Sequence, residues 1–121
     1  MAEKTEIKNA RITATMLGQE DRGIMSAYLT LDGGGWGVSF GGYAMDSWSE
    51  AEQRRIGAAY GMEFIMGILR VVGVESWEAL KGRHIRVETE GLGGRCLRIG
   101  NILKDEWFDP KALAEQMEAK K

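Results

Sequence analysis

Histidine, cysteine and proline occur once each in this chain, as His84, Cys96 and Pro110. One imidazole and one thiol fall short of the three or four Cys and His ligands of a usual zinc site, so structural zinc is excluded and no metal or cofactor is expected. A thiol nucleophile would need His84 within hydrogen-bond reach of Cys96. A lone cysteine in a strand reads more simply as a small buried hydrophobe, and one cysteine cannot form an internal disulfide, which points to a reducing compartment. An excess of positive charge is also missing. The formal net charge is −2, which argues against general affinity for DNA or RNA, because such affinity comes mostly from neutralising phosphates. Long apolar runs are absent too. The longest, over residues 62–74, is interrupted by Glu63 and Arg70, short of the roughly 20 residues needed to cross a bilayer. Residues 1–15 carry Glu3, Lys4, Glu6 and Lys8 among small residues and do not resemble a signal peptide. A soluble cytoplasmic protein without a membrane partner is expected.

What the chain does have is enough apolar material for one core: 44% of its 121 residues are hydrophobic and 28% charged. A single domain over residues 1–121 follows, since a second core would need roughly 50 residues of its own. Ala10, Ile12, Ala14 and Met16 alternate with Arg11, Thr13 and Thr15, the period of a half-buried strand. Met25 to Leu31 alternate likewise after the turn at 18–23, and Trp36, Val38 and Phe40 form a third strand closing at Gly41-Gly42. Ser49 followed by Glu52 reads as a capping box that opens a long helix, with Ile56, Tyr60, Phe64, Ile68 and Val71 on its apolar face and Gly73 at its end. Gly57 and Gly61 lie on that helix, where a strand or partner helix is expected to pack closely. A second hairpin turns at Gly91-Leu92-Gly93-Gly94 between Ile85-Val87 and Leu97-Ile99, and Asp109-Pro110 starts a last short helix. The fold class is α+β: an antiparallel sheet from two hairpin units, one long central helix and a short C-terminal helix.

Charge is unevenly spread. Between Lys81 and Lys104 six basic residues stand against Glu88 and Glu90, so an anion would go there. With the second turn centred on Leu92, Arg86 lies opposite Arg98 on one sheet face, flanked by His84 and Asn101. Like charges in register are destabilising unless an anion lies between them. The group is therefore a candidate nucleotide-phosphate site. The alternative is a solvated face neutralised by Glu88 and Glu90. Glu20 and Asp21 could act as a carboxylate pair, although adjacent turn carboxylates are usually solvated. Gly33-Gly34-Gly35 lacks the Lys-Ser or Lys-Thr of a phosphate loop and reads as a hairpin turn. Trp36, Trp48, Trp77 and Trp107 suit a core or an interface, and a homodimer or higher homo-oligomer is expected.

Four segments carry a family resemblance: residues 9–12 with 15–18 and Glu20-Asp21; the FGGYAMD stretch at 40–46; the VGVESW stretch at 72–77; and IGNI at 99–102 with KDEWF at 104–108. The chain resembles the first type of phage Thoeris anti-defence proteins. That resemblance implies a symmetric oligomer in the infected bacterial cell that captures a small anionic nucleotide signal, a cyclic ADP-ribose isomer, without catalysis. Some members also hold cyclic oligonucleotides. It implies further that His84 stands where the family has an adenine-stacking Phe or Tyr. Gly94 and Lys111 would fall at polar and phosphate contacts, and Arg55 at the oligonucleotide site. Two other readings stay open: a nucleotide-hydrolysing enzyme using Glu20 and Asp21, and a protein-binding inhibitor or small phage interaction protein anchored by its tryptophans.

Overall fold

The computed structural model describes residues 4–20, 22–91 and 94–119. Asp21 and the Leu92-Gly93 centre of the second turn lie outside the described residues. Six strands form one antiparallel sheet in the order β3-β2-β1-β6-β7-β8: β1 (Thr5–Glu20), β2 (Ile24–Asp32), β3 (Gly37–Ala44), β6 (His84–Glu90), β7 (Cys96–Gly100) and β8 (Trp107–Phe108). A separate two-stranded sheet pairs β4 (Asp46–Ser49) with β5 (Arg54–Gly57). The helices are α1 (Ala59–Val72) and α2 (Pro110–Ala119). The architecture is α+β, as the sequence pattern predicts. No helix among the described residues is long and apolar enough to cross a membrane.

Strand β1 is long enough to serve two partners. Its second half, from Arg11, pairs with β2, and its first half, up to Arg11, pairs with β6, so one strand joins the two hairpin units. The alternating residues Ala10, Ile12, Leu29, Leu31, Ile85, Val87 and Ile99 are buried on the face that α1 covers. Phe64 of α1 sits at the centre, stacked on Phe40 and edge-on to Phe108. Two helix glycines permit this fit. A Cβ at Gly67 would come within 2.5 Å of the Phe108 ring, and one at Gly61 within 2.3 Å of the Met45 carbonyl oxygen. Close packing at Gly61 matches expectation, the neighbour being the segment just before β4. Gly57 has open space around its Cβ position and belongs to β5.

The helix starts nine residues later than the capping signal implies. Ser49 Oγ does accept the Glu52 N–H at 3.1 Å, but this bond closes the β4–β5 turn, whose Gln53 adopts φ 54°. Cross-strand pairing of Trp48 with Arg55, and the Arg55 fork on Asp46 at 2.9 Å for both Nε and Nη2, fix the segment as a hairpin. The true N-cap, Ala58, is extended and has no side-chain cap. Gly73 ends α1 in the left-handed region as expected, with its N–H on the Leu69 carbonyl. Asp109 caps α2 through the Lys111 N–H at 2.9 Å.

Strand β3 does not close at Gly41-Gly42. Both glycines have positive φ, and the register against β2 shifts there, so a bulge carries the strand on to Ala44. The bulge delivers Tyr43 to the position described next.

Candidate functional site

The arginine pair does not face itself across the second hairpin. Arg86 is opposite Gly100 and Arg98 opposite Glu88: Thr89 already faces Cys96, one residue off a turn centred on Leu92, and the register shifts by one more between Glu88 and Thr89. The offset preserves the sheet face but changes the partners. Arg98 Nε donates to Glu88 Oε1 at 2.5 Å, and Glu88 also accepts from the Thr5 hydroxyl at 2.7 Å. Those hydrogen bonds, the one from Thr5 first, hold the Glu88 carboxyl below its ordinary range. Arg86 donates through Nε to the Asn101 carbonyl and through Nη2 to that of Lys104, both at 2.8 Å.

What joins the two arginines is Trp107, opposite Gly100 on β8. The Arg98 and Arg86 guanidinium carbons lie 4.2 and 4.8 Å from its ring centre. A Cβ at position 100 would approach that ring to 2.7 Å, so only glycine lets the indole lie down between them. Asn101 is structural as well: its amide donates to the Val71 carbonyl, while its Oδ1 accepts from the backbone of Leu103 and Lys104. This face is cationic, but Arg86 is occupied in holding the 101–106 connection and Arg98 in pairing with Glu88.

The remaining sequence-derived residues are dispersed. His84 is exposed and borders a shallow cleft with Arg11, Asp32 and Gly34. Gly94 borders a second cleft, where a Cβ would run into the Glu90 carbonyl. Arg55 is forked onto Asp46 in the β4–β5 hairpin, which lowers the Asp46 pKa and raises that of the guanidinium.

Lys111 stands in a different setting. It lines a cleft of about 510 Å³ between the end of β3, the start of α1, β7 and α2, together with Tyr43, Tyr60, Arg95, Cys96 and Asp109. Both tyrosines pack on Phe64, with ring centres 5.9 and 6.0 Å away. Burial raises the Tyr60 pKa, so its hydroxyl stays a donor. Burial likewise pushes the Cys96 thiol up to about 12, so the sulfur is a protonated wall, in keeping with its reading as a hydrophobe. A space of this size, walled by aromatic rings with a few convergent polar groups, has the make-up of a small-molecule site. The sequence pattern places Tyr60 on the helix core face, while Tyr43 stands in the 40–46 stretch of the family resemblance. Only the β3 bulge and the shortened helix bring them together with Lys111.

Among the described residues no three His, Cys, Asp or Glu side chains are grouped so as to hold a metal ion. No protein-family model, curated protein or solved structure matches the chain.

Proposed function

We propose that this protein binds and sequesters a small anionic nucleotide of the cyclic ADP-ribose type in the cleft of Tyr43, Tyr60 and Lys111, and releases it unaltered. The observation that carries this reading is the cleft's make-up. Two aromatic rings offer stacking surfaces for a base. The Lys111 ammonium is an exposed cation for a phosphate, and the Asp109 carboxylate is an acceptor for ribose hydroxyls. The thiol in the wall is no nucleophile at neutral pH. The family resemblance supplies the biological setting: capture of a bacterial immune signal by a phage protein in the infected cell, with cyclic oligonucleotides as further ligands near Arg55.

A second copy of the chain belongs to this reading. His84, Gly94 and Lys111, the positions that the resemblance assigns to the ligand, border three different clefts of one protomer. The solvent face of α1 leaves Met62 60% and Met66 50% exposed, an apolar pair at helical spacing that a partner would cover.

Calorimetric titration with cyclic ADP-ribose isomers, cyclic dinucleotides and cyclic trinucleotides tests the proposal. Tyr43→Ala and Lys111→Ala should each weaken binding about tenfold or more, the usual loss for one stacking or phosphate contact. Ligand recovered after denaturing the complex should be chemically unchanged. A linear product would replace sequestration by hydrolysis, and indifference to the whole panel would leave the tryptophan-anchored protein inhibitor as the better account.

A further inference from the structure

The two glycine-rich hairpin ends, read from the sequence as turns and nothing more, border one cleft of about 300 Å³ at the far end of the sheet's inner face. Gly35 and Gly37 of the first hairpin and Gly91 and Gly94 of the second line it together with Lys8, Trp36, Val38 and Thr89. Among the described residues, Lys8 is the one charged residue in this lining. Its ammonium sits 4.8 Å from the centre of the Trp36 ring and 3.2 Å from Glu6 Oε2. An ammonium has three donors, and the carboxylate takes one of them.

Thr89 provides the second observation. Its side chain is 3% exposed, and its hydroxyl is a buried polar group without a hydrogen-bond partner among the described residues. An unsatisfied buried hydroxyl costs about 1–3 kcal/mol, so its retention at the wall of a cleft calls for a partner. Thr89 lines the cleft itself, and the staggered χ1 alternatives of a threonine differ in where the hydroxyl points.

We propose that the cleft formed by Lys8, Trp36 and Thr89 is a binding site for a small oxyanion bearing carboxylate or phosphoryl oxygens, separate from the Tyr43–Tyr60 cleft. One anion oxygen accepts from the Lys8 ammonium and another from the Thr89 hydroxyl. Trp36, with one side on Gly33 and the other under Lys8, keeps the ammonium in place.

The test uses the full chain in buffer free of oxyanions. Inorganic phosphate and acetate are titrated separately against sodium chloride of matched ionic strength, while NMR follows the Thr89 amide and the Trp36 indole N–H. Saturable shifts with phosphate or with acetate are expected, and whichever saturates at lower concentration names the source. Lys8→Met should weaken that binding at least about tenfold, the loss of one charge-assisted contact, and Lys8→Arg should restore most of it. Thr89→Val should raise the unfolding midpoint in anion-free buffer, since it removes an orphaned hydroxyl, and should abolish the midpoint increase that the anion gives wild type. Shifts no different from those in sodium chloride would overturn the proposal. So would unchanged binding by Lys8→Met, or a Thr89→Val protein that is less stable without anion. Tyr43→Ala, which removes a stacking ring from the other cleft, should leave the phosphate and acetate shifts of wild type unchanged, so failure of this site and failure of the nucleotide reading are told apart.

Discussion

Arg86 shows how a side chain that suits a ligand can be committed to the fold. Its two bonds to the carbonyls of Asn101 and Lys104, and its place over Trp107, use the fork geometry of a guanidinium. A lysine keeps the charge but cannot make both bonds from one plane. Arg86→Lys should therefore lower unfolding stability by about 1–3 kcal/mol, the usual scale for lost hydrogen bonds at partly buried carbonyls, as read by urea denaturation. Were Arg86 held only for an external phosphate, the same substitution would leave the denaturation curve unchanged. Gly67 makes a purely steric prediction. An added methyl meets the Phe108 ring at 2.5 Å, so Gly67→Ala should cost about 1–3 kcal/mol by overpacking, despite alanine's better helix propensity.

At the scale of elements, the strands that alternate were readable and the segment from Asp46 to Gly57 was not. Ala10, Ile12, Ile85 and Val87 show their period because these strands bury that face in the core, whereas the register shift after Ile12 leaves Ala14 exposed and Met16 only half-buried, against the alternation read from the sequence. The Ser49 signal misleads for a physical reason: a hydroxyl accepting the N–H three residues on is the same bond in a helical first turn and in a four-residue hairpin turn. What separates the two cases is the Arg55 fork on Asp46, a contact between residues nine apart that local propensity does not contain. The bulges are the other blind spot. One re-aims β3 to bring Tyr43 beside Tyr60, and one shifts β7 so that Arg98 meets Glu88. An extra residue in a strand leaves no periodic trace, so the cationic composition of the 81–104 segment was legible while its pairing was not. Ser49→Ala should accordingly loosen the hairpin without shortening α1. Amide exchange should quicken over Ser49 to Gly57 and stay slow at Phe64 and Ile68.

For the whole molecule, two lowered carboxyls, Glu88 between distant strands and Asp46 within one hairpin, set how the fold responds to acid. Glu88 ties β6 to Thr5 of β1 and Arg98 of β7, and Asp46 ties β4 to β5. Both carboxyls sit below their ordinary values of 4.5 and 3.8 in the folded state. The unfolded chain then binds more protons than the folded one at acidic pH, so stability rises with pH through that window. The contribution is complete above the unfolded values and is lost as pH falls through the folded ones. Urea midpoints should hold steady from pH 7 to about 5 and then decline. Glu88→Gln should start from a lower midpoint at pH 7 and decline less steeply, because its amide cannot titrate. Asp46→Asn should flatten only the exchange protection of the β4–β5 hairpin, since that sheet is separate from the six-stranded one. Parallel acid curves for wild type and Glu88→Gln would show that the carboxylate between Thr5 and Arg98 does not link the two hairpin units. The joint would then rest on the β1–β6 backbone ladder and the Ala10, Ile12, Ile85 and Val87 packing.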